Sequence, residues 1–303
     1  MKKTKRLYID GSNLIHRCHW VSKNSKVSSV YIFLTSIKKY VNLFQTTDMY
    51  IAWDSKRDRD SVNHRREILG EEYKGNRDKE KSAEAFKNVD HIAQITSSLG
   101  IKNLFPNTLE ADDIIAWLSN VKYKDEKAVI VSTDKDMLQL ISENVHVYNP
   151  IKDEHIDLHN FSEVVGIERE LFVSYKAIMG DKSDHITGIP GAGPKRSAAI
   201  ARDLDNKLLK EYEDLYDRNI KLMDLNYSLK VNPEEIEYLE SHLKEVKKSS
   251  AVNIPAFENG AKYFNMVNII NNIHEWRSMF DKAGTESTMH DMVASLDFSK
   301  GYE

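Results

Sequence analysis

Three short apolar runs punctuate the first half of the chain, and each ends in an aspartate. Leu7-Tyr8-Ile9 runs into Asp10-Gly11, Met49-Tyr50-Ile51-Ala52-Trp53 into Asp54, and Ala128-Val129-Ile130-Val131-Ser132-Thr133 into Asp134. Their continuous rather than alternating apolar character predicts strands covered on both faces. Helical spacing of apolar positions fills the gaps, over Val30 to Phe44 and Ala83 to Leu99. Strands alternating with helices predict an α/β fold with a mostly parallel central sheet flanked by helices. In such sheets ligands bind beyond the carboxyl ends of the strands, where all three aspartates would fall. A single aspartate after a strand is ordinarily a turn former or helix cap. Three in one chain ask for a shared reason.

From about Phe161 the strand pattern fades. Helices are expected over Leu171 to Met179 and Lys195 to Leu204, with the turn-rich stretch Gly188-Ile189-Pro190-Gly191-Ala192-Gly193-Pro194 between them. Pro233 to Lys248 reads as a charged helix, Ala251 to Gly260 as a loop, and the segment beyond Met279 as a polar tail. At about 150 residues per domain, 303 residues predict two lobes. The boundary is placed near 160, giving an α/β domain over 1–160 and a helical lobe over 161–303. The chain contains no internal repeat and no low-complexity segment.

Composition adds a little. Cys18 is the only cysteine, so no internal disulfide forms, which fits a reducing cytoplasm. The basic start through Arg6 is followed by only three apolar residues before Asp10, which argues against a signal peptide. No stretch is apolar enough to span a membrane. The formal net charge of -4 hides a pattern in which acids sit at the ends of apolar segments and bases gather between them, as in Arg57, Arg59, Arg65, Arg66, Lys74, Arg77 and Lys79. A mildly acidic total therefore does not exclude a nucleic-acid substrate.

The acids are the candidate chemistry. Glu110-Ala111-Asp112-Asp113 opens a helix, and Glu110 and Asp113 share a face of its first turn. Asp134-Lys135-Asp136 follows the third run, and Asp181-Lys182-Ser183-Asp184 follows an apolar helix and a glycine. Helix-dipole stabilisation, capping or solvation would account for one or two of these. Asp10, Asp54, Glu110, Asp112, Asp113, Asp134, Asp136, Asp181 and Asp184 together would repel one another and raise each other's pKa values unless cations intervene. All-oxygen ligands select hard ions, Mg²⁺ with Mn²⁺ as the substitute. Two such ions about 4 Å apart are the usual device for in-line attack on a phosphodiester.

Two further segments fit that chemistry. In Glu72-Tyr73-Lys74-Gly75-Asn76-Arg77-Asp78-Lys79, Lys74 and Arg77 are spaced to meet one phosphate if a helix starts there; a solvated surface segment is the alternative. Gly188 to Arg196 has the form of a helix-hairpin-helix turn. Gly188, Gly191 and Gly193 would allow close backbone approach, and Lys195 and Arg196 would add charge at a helix start that can grip a phosphate backbone. A plain structural turn is the other reading.

In this order the motifs resemble the flap endonuclease and 5′-3′ exonuclease family, which includes free-standing phage 5′ nucleases and the 5′-nuclease domain of bacterial DNA polymerases. The matching text is Tyr8-Ile9-Asp10-Gly11-Ser12-Asn13-Leu14, Glu72-Tyr73-Lys74-Gly75-Asn76-Arg77, Glu110-Ala111-Asp112-Asp113, Ser132-Thr133-Asp134-Lys135-Asp136, and Lys176-Ala177-Ile178-Met179-Gly180-Asp181-Lys182-Ser183-Asp184 running into the glycine turn. The resemblance covers roughly residues 6 to 228, and residues beyond about 235 match poorly. His185 stands where the family commonly has Asn.

The resemblance implies a PIN-like sheet domain with a helical arch at about 74–99, and a helical lobe carrying the helix-hairpin-helix turn. It implies two Mg²⁺ ions, one held mainly by Asp10, Asp54, Glu110 and Asp112, the other nearer Asp134, Asp136, Asp181 and Asp184, with Asp112 standing between them and Asp113 counted among the acids. It implies Lys74 and Arg77 as the catalytic basic pair, and Tyr73, Lys79, Lys176 and the turn from Gly188 to Arg196 as DNA contacts, with a K⁺ ion at that turn. The expected substrate is DNA with a 5′ flap, 5′ overhang or nick, or an RNA/DNA hybrid, cut during phage replication by a monomer in the host cytoplasm. A sliding clamp or single-strand-binding protein is the expected partner, with Met292 to Phe298 as a candidate clamp-binding tail. Two alternatives differ in class: a relative that grips branched DNA without cutting, which would have lost several of these acids, and a small RNA-cutting domain, which would lack the glycine-turn lobe.

Overall fold

The first two apolar runs form β1 (Arg6–Asp10) and β2 (Met49–Ala52), and the third forms β4 (Ala128–Val131) after a short strand β3 (Lys102–Leu104) that the hydrophobic pattern does not announce. β5 (Val145–Asn149) and β6 (Glu154–Ile156) complete a six-stranded sheet in the order β3-β2-β1-β4-β5-β6. Its neighbours are parallel except for the β5–β6 edge pair. In register, Asp10 lies opposite Ala52 and Ile9 opposite Val131, so β1, β2 and β4 end level at one edge. The computed structural model describes residues 6–55, 64–75 and 79–280, and of residues 79–82 only the backbone.

Helices cover both faces, as the unbroken apolar runs require. They are α1 (Gly11–Ser25), α2 (Ser29–Phe44), α3 (His64–Leu69), α4 (Lys79–Phe86), α5 (Val89–Ser97) and α6 (Ala111–Trp117). After the sheet come α7 (Phe161–Val165), α8 (Phe172–Met179), α9 (Pro194–Ala201), α10 (Lys207–Glu211), α11 (Glu213–Met223), α12 (Leu225–Val231), α13 (Pro233–Ser249), α14 (Ile254–Tyr263) and α15 (Val267–Asn271). Side-chain alternation along the strands sorts two cores. Leu7, Ile9, Ile51 and Val131 pack with Phe33, Ile37 and Ile92 on one face. Tyr8, Tyr50 and Ile130 pack with Ile114 and Trp117 on the other. Burying each large side chain of this kind contributes about 1.5–3 kcal/mol.

The expected boundary near 160 does not interrupt the packing. Phe172, Ile178, Leu239 and Leu243 share one core with Tyr8 and Ile130. Phe257, Ile269, Trp276 and Phe280 return to the opposite face, beside α2 and α5. The loop expected over Ala251 to Gly260 is instead the start of α14. Asn253 caps it by accepting the Ala256 N–H at 3.0 Å, Pro255 sits in its first turn, and Ile254, Phe257 and Ala261 bury one stripe.

The helix expected from Ala83 to Leu99 is two helices, broken at Lys87-Asn88. α5 belongs to the core through Ile92 and Ile95, whereas α4 lies against α1, with Lys23 Nζ 2.8 Å from Glu84 and the Phe86 ring edge-on to His16. Of the arch expected at about 74–99, residues 76–78 lie outside the described residues, and so does the tail from Met292 to Phe298. No helix among the described residues is long and apolar enough to cross a membrane.

Candidate active site

Parallel strands deliver their carboxyl ends to one edge, and Asp10, Asp54 and Asp134 follow from that topology. Asp10 closes β1 and caps α1, accepting the Asn13 N–H at 2.8 Å and the Ser132 hydroxyl at 3.0 Å. Gly11 behind it is needed because a Cβ there would lie 2.6 Å from Ile51 Cγ2 on β2. Burial pushes the Asp10 carboxyl up to about 7, and the Asp54 and Asp134 charges add to the rise. Asp54 accepts the Ala111 N–H at 2.9 Å, which ties the end of β2 to the start of α6. Asp134 caps a 3-10 turn by accepting the Asp136 N–H at 2.9 Å. Its carboxyl is raised to about 6 by surrounding protein and by Asp136. Ser132 serves both aspartates, since its Oγ also accepts the Asp134 N–H at 3.0 Å, and Asn13 Oδ1 holds Thr133 Oγ1 at 2.9 Å.

The acids at the start of α6 divide into two kinds. Glu110 is engaged by the Lys74 ammonium at 2.7 Å and the Tyr73 hydroxyl at 2.9 Å. Although burial opposes ionisation, Lys74 and Arg65 hold its carboxyl down at about 2. Asp112 is driven well above the usual carboxylate range, first by burial and then by Asp113. Asp113 is wholly buried. Both its oxygens are taken by Arg65, at 2.8 Å each, and Oδ2 also accepts the Glu110 N–H at 3.1 Å. The expectation that Asp113 joins the ion-holding acids meets this geometry: its lone pairs already serve a buried guanidinium and a helix start.

Asp136 and Asp181 meet at Lys176. Its ammonium is 2.6 Å from Asp136 and 2.6 Å from Asp181, and these two charges raise its pKa although burial opposes them. Asp181 in turn is lowered to about 2 by Lys176, against its own desolvation. Lys176, expected as a DNA contact, is itself buried here. Asp181 ends the first strand of a two-strand hairpin, β7 (Gly180–Asp181) and β8 (Ile186–Thr187). The Asp184 carbonyl at its turn accepts the Lys74 N–H at 3.3 Å, so the hairpin touches the basic segment. Lys74 and His185 both hold left-handed backbone, φ 55 and 61.

Among the described residues, no three Asp, Glu, His or Cys side chains are gathered closely enough to hold an ion together. Lys74, Arg65 and Lys176 stand among the acids instead. The donor set nevertheless suits a hard divalent cation: oxygen ligands near one sheet edge, with Asp10, Asp112 and Asp134 all raised, first by burial and then by neighbouring carboxylates.

The glycine turn joins α8 and the hairpin to α9. Gly188 presses on Gly180; a Cβ on Gly188 would come within 2.2 Å of the Met179 carbonyl, and one on Gly180 within 2.3 Å of the Gly188 nitrogen. Asn219, fully buried, fastens the turn by donating to the Ala177 and Thr187 carbonyls at 2.8 and 2.9 Å. Gly191 has φ +73 and Gly193 caps α9 with open space around it. Lys195 and Arg196 are exposed beside it. Arg77 lies outside the described residues, as does the side chain of Lys79.

Residues 5–166 match the family described as 5′-3′ exonuclease, N-terminal resolvase-like domain. This chain belongs to the 5′-3′ exonuclease family. A 5′-3′ exonuclease of Mycoplasmopsis pulmonis is 34% identical over 226 residues, which cover 72% of this chain and 73% of that protein. Flap endonuclease Xni of Shewanella woodyi is 32% identical over 213 residues, 69% of this chain and 80% of its own. A crystal structure of the bacteriophage T5 D15 flap endonuclease in a complex with DNA and metal ions aligns with a TM-score of 0.67 at 23% identity, over 81% of this chain and 99% of that one. The mostly parallel sheet with flanking helices is the fold they share.

For a 5′-3′ exonuclease, the residues that motif reading passes over are Arg65, Ser132 and Asn13. Ser132 and Asn13 stood inside quoted motifs, and their hydrogen-bonding side chains beside Asp10 were a usable signal. Arg65 had none: in sequence it is one base among several between β2 and Tyr73.

Proposed function

We propose that this nuclease is structure-selective, hydrolysing phosphodiesters near DNA 5′ ends and at single/double-strand junctions, both as a flap endonuclease and as a 5′-3′ exonuclease. The observation that carries the reading is that Asp10, Asp54 and Asp134 follow three strand ends at one sheet edge, with Lys74 Nζ 2.7 Å from Glu110 and Lys176 Nζ 2.6 Å from both Asp136 and Asp181. Two Mg²⁺ ions, or Mn²⁺ in their place, bound between these acids and Asp184 would activate water and stabilise the leaving oxygen. Asp10, Asp54, Glu110 and Asp112 would hold one, and Asp134, Asp136, Asp181 and Asp184 the other. Asp113 drops out of the set, because Arg65 already occupies both its oxygens.

The chain's own part is charge and position. Lys74 exchanges Glu110 for the phosphate under attack, and Arg77 joins it there. Tyr73 orients Glu110 through its hydroxyl. Lys176 neutralises Asp136 and Asp181 and turns to a phosphate when ions take its place. The open helix start at Gly193, with Lys195, Arg196, Gly188 and Gly191, would bind the duplex backbone, where a K⁺ ion would add positive charge. Removal of primer-derived 5′ ends during replication, phage or bacterial, in the cytoplasm is the setting we infer.

A labelled 5′-flap duplex incubated with enzyme and Mg²⁺ tests this. Cleavage near the junction is expected, stopped by EDTA and lost in Asp134→Asn. An intact flap, or cleavage that survives EDTA, would refute the reading.

A further inference from the structure

Arg65 is in sequence one base among several between apolar runs, yet it is 2% exposed. A buried guanidinium is costly unless every N–H is used, and this one is used in three directions. Two N–H groups form a fork on Asp113 at 2.8 Å each. A third reaches Glu110 Oε2 at 3.3 Å, and Nε donates to the Leu222 carbonyl at 3.1 Å.

An ion pair that only offset its own burial would end at Asp113. The other two contacts do more. Glu110 is held from both oxygens, by Lys74 on Oε1 and by Tyr73 and Arg65 on Oε2, so its carboxylate has little freedom left. Asp113, fixed by the fork, accepts the Glu110 backbone N–H and thereby sets the first turn of α6, from which Asp112 also projects. The Leu222 carbonyl lies near the end of α11, and the neighbouring His64 ring meets the adjacent Lys221 carbonyl at 3.1 Å. α3 is thus docked between the acidic edge and the helices that follow the sheet.

We propose that Arg65 is a positioning residue. It holds Glu110, and through Asp113 the start of α6, in the geometry in which the acidic edge takes up divalent ions, and it makes that geometry depend on the docking of α3 against the end of α11. This rests on the reading of Glu110 and Asp112 as ion-holding acids. Arg65 itself touches neither ion nor DNA.

The test uses the full chain in three forms: wild type, Arg65→Met combined with Asp113→Leu, and Arg65→Lys. The double variant replaces the buried pair by apolar side chains, so folding is retained while the hold on Glu110 is lost. Arg65→Lys keeps a charge for Asp113 but cannot span Asp113, Glu110 and Leu222 at once. Thermal unfolding, Mn²⁺ affinity by calorimetry without DNA, flap-DNA affinity in Ca²⁺, and kcat and KM in Mg²⁺ are measured for each.

Both variants are expected to remain folded at the assay temperature, with a lowered unfolding temperature for Arg65→Lys because the Leu222 carbonyl and Glu110 lose a donor. Each should bind Mn²⁺ at least about tenfold more weakly and lose kcat to a similar degree, with DNA affinity and KM little changed. Raising Mg²⁺ should recover part of the kcat. Wild-type Mn²⁺ affinity in a folded variant overturns the inference alone and leaves the functional reading standing. A wild type that takes up no divalent ion removes the functional reading, and this inference with it.

Discussion

The Lys74 ammonium lies 2.7 Å from Glu110 Oε1, so the cation that would meet the scissile phosphate is held by an acid that would meet an ion. Each satisfies the other until substrate and ions arrive. Lys74 is also held in left-handed backbone, φ 55, which aims its side chain at a modest cost in strain.

Replacing Lys74 by Ala separates these roles. Turnover on a 5′-flap duplex should fall by about 100-fold or more, the usual scale for losing one fixed charge at a transition state. Duplex binding, which the proposed function assigns mainly to the glycine turn, should change little. Single-turnover cleavage and equilibrium binding measured side by side decide it. Equal losses in both would reduce Lys74 to an ordinary DNA contact.

Lys176 makes a second such arrangement, with its charge shared between Asp136 and Asp181. Lys176→Met should lower the stability of the ion-free protein by about 3 kcal/mol, because two partly buried carboxylates lose their partner. Added Mg²⁺ should then raise the unfolding temperature of the variant more than that of the wild type. Calorimetric unfolding with and without Mg²⁺ would show this. An equal Mg²⁺ response in both proteins would mean that lysine and ion do not occupy the same electrostatic role.

The sequence carried the parts of this site that follow from strand ends. β1, β2 and β4 are unbroken apolar runs ending in Asp10, Asp54 and Asp134, and parallel topology brings those ends together without further information. β3 is three residues long and too short for any hydrophobic period to register. α14 was hidden because Asn253 and Pro255 look like loop punctuation, although both are also at home in a helix's first turn. The split of the acids was not legible at all. Glu110 and Asp113 share a helix face in sequence, and only the burial of Arg65, brought in from another element, turns one inward and leaves the other at the edge.

Two glycines of the turn should respond oppositely. Gly188→Ala forces a Cβ to within 2.2 Å of the Met179 carbonyl, a backbone atom that cannot yield, and should cost about 2 kcal/mol or more of stability. At Gly193 a Cβ meets nothing within 4 Å, and φ -72 suits any residue. Gly193→Ala should therefore fold normally and yet bind duplex DNA more weakly, since the added methyl stands where a phosphate would approach. Unfolding curves and duplex affinity for both variants provide the check. Normal duplex binding by Gly193→Ala would argue that the turn is structural only.

The raised aspartates give the ion-free protein a defined pH response. Asp10 moves from its ordinary 3.8 up to about 7, and Asp134 from 3.8 up to about 6. A carboxyl whose folded pKa exceeds its unfolded value favours folding while protonated, and that contribution is lost as pH rises through the folded value. For these two the loss therefore spreads over pH 4 to 7, with Asp10, the higher of the pair, reaching furthest, and Asp112, also raised, acts in the same sense. Glu110 and Asp181, both lowered to about 2, act in the opposite sense but only below about pH 4.5, so from pH 5 upward the raised aspartates set the slope. Without divalent ions, the unfolding temperature should decline from pH 5 to pH 8. Asp10→Asn should flatten that decline, and saturating Mg²⁺ should offset it increasingly as pH rises, because ion and proton compete for the same oxygens. Unfolding scans at pH 5, 6, 7 and 8, with EDTA and with Mg²⁺, measure the slope directly. A wild-type slope that Asp10→Asn leaves unchanged would show that the crowding of charge at the sheet edge is relieved by something other than a proton.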